Sequence, residues 1–372
     1  MAVSNKMRPK RAVYGVGQVG ARWTLIAPDG KPFVSLGVAH IANIMKSAEF
    51  QSRYNSDRRA ACEAVAEDVR ASGFNTVGYR HPVEMRGVMP FMAEVYLAQV
   101  SYWMPQIRCV DVFSPSYPKA VNNLIRRMVS AVKANPNLIG YYWTGEPRWD
   151  LDLARRQVND DWVSMIRRLP APHVGKQRYV SFLRERHGSS PSEFGAAYGM
   201  ELADVDSMLA RDFADLPLND PMVHRDDYEF LRLIAREYYR VAGEAMERED
   251  RRRMVFGDRF MLYDIPAEVL EEAIPWIDVV AVQPSAVHFE REAFERIYRI
   301  ARKPILICAH ASRFLTESMS ESDTARIYDD YLSAAFERPY IVGYHRDQYT
   351  DRTFVESVKR TNDRIIRLLT AN

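Results

Sequence analysis

Residues 137–149, NLIGYYWTGEPRW, decide how the rest of the chain is interpreted. They open with an apolar and aromatic run, residues 138–143, which has the length and composition of a buried strand. The run is followed almost at once by Glu146, with a tryptophan on either side. In a parallel α/β barrel the carboxyl ends of the strands carry the chemistry. A Glu held among aromatic rings has surroundings that raise a carboxyl pKa, so Glu146 is a candidate general acid; a helix-capping Glu is the alternative.

Similar apolar runs recur along the chain and alternate with segments of helical spacing. The eight predicted strands are residues 33–38, 74–79, 92–100, 138–143, 254–258, 277–283, 304–308 and 340–344. Alternation of strands with helices predicts a parallel sheet covered by helices. Eight such units predict an α/β fold of the (β/α)8 TIM-barrel type.

The domain organisation follows from the same pattern. Residues 1–20 are predicted to be a leader, and residues 21–372 a single barrel domain. Two strands flank the turn signal Pro28-Asp29-Gly30, which predicts an N-terminal β-hairpin. Residues 150–252 are polar and helical, and they are too long for one crossover. We therefore expect a helical insertion after the fourth strand.

Composition excludes several classes of function. The chain has 372 residues, of which 27% are charged, and a net charge of only +2, so it lacks the basic field of a nucleic-acid binder. It contains neither an apolar run long enough to span a membrane nor the apolar segment of a signal peptide, which predicts a cytoplasmic protein without a membrane partner. The three cysteines lack metal spacing, and no glycine-rich nucleotide motif follows a strand, so no cofactor is expected. The oligomeric state is left open.

Polar and aromatic side chains cluster at the predicted carboxyl ends of the strands. Because these ends meet at one rim, we expect a common substrate site there. The candidate binding residues are His40, Arg80, His81, Trp103, Trp143, Trp149, Asp258, Arg259, Gln283, His310, His345, Asp347 and Gln348. The histidines would allow a metal, but neither HxH after the first strand nor HExxH on a helix is present, so no metal is predicted.

Several segments resemble agarase-type glycoside hydrolases, and they occur in the order seen in that family. They read RWTLIAPDGKPFVSLGV (22–38), SGFNTVGY (72–79), NPNLIGYYWTGEP (135–147), KPILI (303–307) and IVGYHRDQY (341–349). The resemblance implies a (β/α)8 barrel of the large glycosidase clan, with catalytic Glu residues after the fourth and seventh strands. It implies that Glu146 is the proton donor and that the substrate is an oligosaccharide.

The chain departs from the family pattern at two positions. The residue before the acid is Gly145 rather than Asn, and Ala309 stands where the second catalytic acid is expected. A retaining mechanism needs two carboxyl groups about 5 to 5.5 Å apart. The sequence could be a variant from which the acid was removed, in which case the end of the seventh strand faces Glu146 and an acid restored at 309 creates activity.

Ala309 is also consistent with three alternatives. Asp258, Asp264, Asp347 or Glu317 could act as the base of an inverting reaction, which tolerates a wider separation. The protein could instead bind carbohydrate without cleaving it, or act as a polysaccharide lyase with a His or Tyr base. The sequence thus predicts a glycoside hydrolase, and strand-end arginines suggest an acidic, sulfated or anhydro-containing sugar. It leaves open which sugar and linkage, retention or inversion, and the role of the insertion.

Overall fold

A computed structural model gives the architecture of the chain. It describes residues 13–97, 110–188, 190–213, 216–310, 319–347, 349 and 355–370. The strands are β1 (Gly15–Val19), β2 (Arg22–Ile26), β3 (Pro32–Phe33), β4 (Ser35–Val38), β5 (Thr76–Val77), β6 (Phe91–Glu94), β7 (Leu138–Gly145), β8 (Met254–Met261), β9 (Val280–Gln283), β10 (Ile305–His310) and β11 (Ile341–Arg346).

Eight of these strands close into a barrel. Their order around the barrel is β4-β5-β6-β7-β8-β9-β10-β11, and β11 pairs with β4 to complete the ring. All the barrel pairings are parallel, as the alternating sequence pattern requires. The predicted (β/α)8 barrel is confirmed.

A separate antiparallel sheet of β1, β2 and β3 precedes the barrel. It contains the predicted hairpin, but the prediction that residues 1–20 form a leader is wrong for residues 15–19, which pair with β2 along its whole length. The predicted strand 33–38 is divided, because Phe33 pairs in this sheet and Ser35 begins the first barrel strand. The Trp23 N–H donates to the Pro339 carbonyl at 2.8 Å, just before β11. The sheet therefore lies at the amino ends of the barrel strands and leaves the carboxyl ends for a site.

Helices surround the barrel and fill the long segment between β7 and β8. They are α1 (Ala48–Tyr54), α2 (Arg58–Ala71), α3 (Ser116–Val132), α4 (Leu151–Val158), α5 (Trp162–Arg167), α6 (Val174–His187), α7 (Pro191–Tyr198), α8 (Val205–Ala210), α9 (Pro221–Glu249), α10 (Ala267–Ala273), α11 (Arg291–Ala301), α12 (Glu321–Phe336) and α13 (Val355–Thr370), with 3-10 turns at Ile41–Lys46, Val83–Gly87 and Ile274–Trp276. Helices α4 to α9 occupy the segment for which the sequence predicts an insertion. Within the described residues no helix is long and apolar enough to span a membrane.

The long helix α9 matters most for the site. The Asp220 carboxylate caps its first turn by accepting from the N–H groups of Met222 and Val223, and Pro221 occupies the first helical position. Its apolar face is buried and includes Tyr238 and Tyr239. These two rings pack against Trp149, and their hydroxyl groups donate to Asp258 of β8.

Backbone geometry at the carboxyl ends of the first four barrel strands is unusual. His40, Arg80, Tyr96 and Glu146 have φ angles of 57°, 54°, 54° and 52°. Non-glycine residues rarely adopt this left-handed conformation, which costs about 1 to 3 kcal/mol and is concentrated at functional sites. Each of the four lies shortly beyond its strand, so the chain turns sharply at the rim.

Candidate active site

Glu146 lies at the mouth of the barrel, held by the neighbouring strand. Its N–H donates to the carbonyl of Arg259 at 2.9 Å, and Gly145 is in register with Arg259 in the β7–β8 pair. Its side chain is buried, with 3% of the residue exposed. These contacts hold the backbone of Glu146 in its left-handed conformation. They thereby fix the direction in which its side chain leaves the end of β7.

The Glu146 carboxyl group has few partners. Oε1 lies 3.7 Å from Nη1 of Arg259, which is too long for a strong hydrogen bond, and Oε2 has no hydrogen-bond partner among the described residues. Burial raises the pKa of Glu146, while the Arg259 charge and the Gln283 amide act in the opposite direction. A buried carboxyl with an unpaired oxygen and a raised pKa is suited to hold a proton and donate it.

Arg259 is packed into the same mouth. Its guanidinium carbon lies 3.3 Å from the centroid of the Tyr79 ring, and its Nη1 donates to Oε1 of Gln283 at 3.2 Å. A Cβ on residue 145 would lie 2.6 Å from Nη2 of Arg259. The absence of a side chain at Gly145 therefore makes room for the guanidinium group, in the space that an Asn would need.

A second acid, Asp347, lies across the mouth just beyond β11. Its Oδ1 accepts a hydrogen bond from the Tyr79 hydroxyl at 3.3 Å and lies 3.3 Å from Nε2 of His40. His40 is also hydrogen-bonded to the Tyr79 hydroxyl. Asp347 is among the charges that raise the pKa of Glu146, so the two acids are electrostatically coupled.

Position 309 lies on β10 and is fully buried. Ala309 belongs to the apolar cluster inside the barrel together with Cys308 and with Tyr79 and Tyr142, the two rings that flank Arg259. Burial raises the pKa of the Cys308 thiol to about 12, which argues against a thiolate nucleophile. Ala309 therefore supplies only apolar surface to the strand on which the resemblance expects an acid.

The structure brings six of the predicted site residues into one cluster: Glu146, Arg259, Gln283, Asp347, His40 and Arg80. Arg80 is exposed, and its backbone N–H donates to Oε2 of Glu94 at 3.3 Å. Sequence reasoning missed Tyr79 and Glu94, although both lie at strand ends. The signal that could have identified Tyr79 as a site residue is its position directly before Arg80, at a charged strand end.

Asp258 lies on the other side of the β7–β8 pair, away from this cluster. Its Oδ1 accepts from the Thr144 N–H and the Tyr238 hydroxyl, both at 3.0 Å, while Oδ2 accepts from Trp149 Nε1 at 3.1 Å and the Tyr239 hydroxyl at 2.7 Å. Burial raises its pKa and the hydrogen bonds act in the opposite direction. With four donors the carboxylate is saturated, so it holds the backbone around Glu146 and is unsuited to activating water.

The two tryptophans that flank Glu146 in sequence pack outside the barrel rather than at its mouth. Trp149 stacks on Trp162 with ring centroids 4.6 Å apart, and Trp143 packs against Tyr239. Both are fully buried in the core between the strands and helix α9. Strand alternation explains the placement of Trp143, because successive side chains point to opposite faces. The two rings are therefore not placed to stack on a sugar.

Three predicted histidines make structural contacts. His310 stacks on Tyr331 and is hydrogen-bonded to the Tyr344 hydroxyl and the Ala286 carbonyl. His345 is hydrogen-bonded to Ser35, at the amino end of β4, at 2.8 Å. His81 is hydrogen-bonded to the Gly78 carbonyl. Burial lowers their pKa values to about 4, 3 and 4. They are neutral hydrogen-bonding groups at neutral pH and are not aimed at Glu146.

The remaining candidates fall into two groups. Trp103, Gln348 and the alternative acid Glu317 lie outside the described residues. Asp264 is buried and accepts a hydrogen bond from the Asp150 N–H, so it too has a structural role. In the described part of the chain, no group of three or more His, Cys, Asp or Glu side chains is arranged to hold a metal ion.

Comparisons with known proteins identify the class to which this architecture belongs. The chain has the fold of the agarase-type (β/α)8 glycoside hydrolases, as the sequence resemblance implies. An exo-beta-agarase matches with a TM-score of 0.78 at 16% identity, over 97% of this chain and 66% of that chain. The agarase AgWH50C matches with a TM-score of 0.78 at 16% identity, over 99% and 67% of the two chains.

A curated relative adds a match at the level of sequence. Beta-agarase B from Vibrio sp. (strain JT0107) is 20% identical over 265 residues, which cover 67% of this chain and 27% of that protein. The chain thus spans about a quarter of the curated relative it matches. No family model matches it.

Proposed function

We propose that this chain hydrolyses a glycosidic bond of an oligosaccharide, with Glu146 as the general acid. The observation that carries the proposal is the Glu146 carboxyl itself. It is buried at the barrel mouth on a left-handed residue, it has one oxygen without a partner among the described residues, and burial raises its pKa. Relatives named as agarases share the fold, which supports a substrate made of sugar units.

For the second carboxylate we propose Asp347. Its rival Asp258 accepts from four donors and Asp264 accepts from the backbone N–H of Asp150, whereas Asp347 contacts the Tyr79 hydroxyl and His40. Asp347 lies at the mouth, coupled to Glu146 through the stack of Arg259 on Tyr79. Since no direct contact joins the two acids among the described residues, we assign them to an inverting reaction, in which Glu146 protonates the leaving oxygen and Asp347 activates water.

A panel of neutral and acidic oligosaccharides tests the function, with products detected by chromatography. We expect turnover that is lost in Glu146→Gln and in Asp347→Asn, with the inverted anomer seen first by NMR. An unsaturated product absorbing in the ultraviolet would replace hydrolysis with a lyase reaction. Turnover of a peptide or nucleotide instead would overturn the class.

A carbohydrate-binding protein without hydrolytic activity is the second candidate, because Ala309 lacks the expected carboxylate. It predicts saturable binding and no turnover on any sugar of the panel. The Ala309→Glu variant tests whether the missing catalytic acid belongs at position 309 or whether Asp347 is the base. If the acid at 309 is the missing catalytic group, this variant gains activity with retention of the anomer. If Asp347 is the base, activity is present without it.

A further inference from the structure

Arg259 is a buried cation whose one ion pair among the described residues is the long contact with Glu146. Its distance to the Glu146 carboxylate is 3.7 Å, and its one hydrogen bond in the described structure goes to the neutral amide of Gln283. The nearby Glu94 is hydrogen-bonded to the Arg80 N–H and forms no ion pair with Arg259 in the described part of the chain. A guanidinium group carries five N–H donors, and one of them is used in the hydrogen bond to Gln283.

The pocket around this cation is built for it. The Tyr79 ring lies against one face of the guanidinium group at 3.3 Å, and Gly145 provides the space beside Nη2. Stacking on an aromatic face fixes the plane of the guanidinium while leaving its N–H edge open. That edge matches the oxygens of a carboxylate or sulfate, which it can bind with two parallel hydrogen bonds.

The charge balance of the mouth changes when Glu146 acts as an acid. A general acid must carry its proton, and burial favours the protonated form of Glu146. In that form Glu146 no longer compensates Arg259, and a buried charge without compensation is costly. A negative group brought by the ligand would supply the missing charge.

We propose that Arg259 binds an anionic substituent, a carboxylate or a sulfate, on the sugar unit that lies next to Glu146. This inference rests on the proposed function for the position of the sugar, but it is tested by binding alone. Gly145 is part of the same subsite, because any side chain there displaces the guanidinium group. The subsite thus selects acidic sugars over neutral ones.

The test uses three sugars that differ only at carbon 6: galacturonate, galactose 6-sulfate and galactose. Their binding to the Glu146→Gln protein is measured by calorimetry, so hydrolysis plays no part. We expect at least one anionic sugar to bind about tenfold or more tightly than galactose, the size of a charge-assisted hydrogen bond. A preference for galacturonate assigns the subsite to carboxylates, and a preference for the 6-sulfate assigns it to sulfates.

Two further variants show whether Arg259 causes the preference. In the Glu146→Gln background, Arg259→Gln should weaken binding of the anionic sugars about tenfold or more relative to galactose and so abolish the preference for anions. Gly145→Ala keeps the charge but moves the guanidinium group, so it should weaken anion binding in the same direction. The matched controls are Arg253→Gln, a buried Arg at the opposite end of β8, and Gly87→Ala, where an added Cβ has open space. Both should retain the preference.

The outcomes that contradict the proposal are distinct from failure of the proposed hydrolysis. Galactose binding as tightly as its anionic analogues, or no binding by any of the three at high millimolar concentration, overturns the anion subsite. An equal loss of all three affinities in Arg259→Gln would show that Arg259 only supports the pocket. Anion-selective binding in a protein that never cleaves a glycoside would leave this inference standing and remove the proposed function.

Discussion

Glu146 and Asp258 are two buried carboxyl groups on adjacent strands, and burial raises the pKa of both. They differ in hydrogen bonding. Asp258 accepts from four donors, whereas Glu146 has an oxygen unpaired among the described residues and a distant Arg259. One faces the core behind the strands, and the other faces the barrel mouth. Burial and a raised pKa are thus common to a structural and a candidate catalytic acid, and hydrogen-bond saturation distinguishes them.

The largest predicted effect on stability is at Asp258. Asp258→Asn replaces an acceptor oxygen with an NH2 group that faces two donors, and each buried donor left unpaired costs about 1 to 3 kcal/mol. We expect the free energy of unfolding to fall by about 2 to 6 kcal/mol, measured by urea denaturation. Glu146→Gln should change it by less than about 1 kcal/mol, since no hydrogen bond to Oε2 is lost. Equal losses of unfolding free energy in Asp258→Asn and Glu146→Gln would show that hydrogen-bond saturation does not distinguish the two acids.

A smaller effect is expected at Trp149. Trp149→Phe removes the N–H that donates to Asp258 and part of the stack on Trp162, so stability should fall by about 1 to 2 kcal/mol. Sugar affinity should stay nearly unchanged, because the ring packs in the core outside the barrel. Calorimetry of the purified variant measures the affinity. A large loss of affinity with intact stability would return Trp149 to the sugar site predicted from sequence.

The smallest effect concerns the pH dependence of stability. The folded-state pKa of Glu146 is raised, so its stabilising contribution is fully present below the unfolded-state pKa, about 4.3, and is lost as the pH rises through the folded pKa. Gln cannot ionise. Glu146→Gln should therefore become more stable relative to the unchanged protein as the pH rises from about 4 to about 8, measured by thermal unfolding. A difference that does not vary with pH contradicts the raised pKa.

Sequence alone predicted the barrel. The spacing of apolar residues and the alternation of strands with helices are local signals, and they recur eight times along the chain. Sequence also located Glu146, since a strand end is visible in the chain. It did not separate Glu146 from Asp258, because the donors to Asp258 come from helix α9 and from Trp149. Nor did it separate the inward Arg259 from the outward Trp143, because the face to which a strand-end residue points depends on the register and twist of its neighbours. The role of Tyr79 depends on contacts between three strands, which no single segment reveals.

The central claim is that Glu146 donates the proton to the leaving oxygen. The most direct test compares Glu146→Gln with the unchanged protein on a natural glycoside and on an aryl glycoside with an activated leaving group, measuring kcat/KM for both. The account predicts a loss of about 10² to 10⁴-fold on the natural glycoside. It predicts a much smaller loss on the activated one, because a good leaving group needs little protonation. Full activity of Glu146→Gln on the natural glycoside would contradict the account.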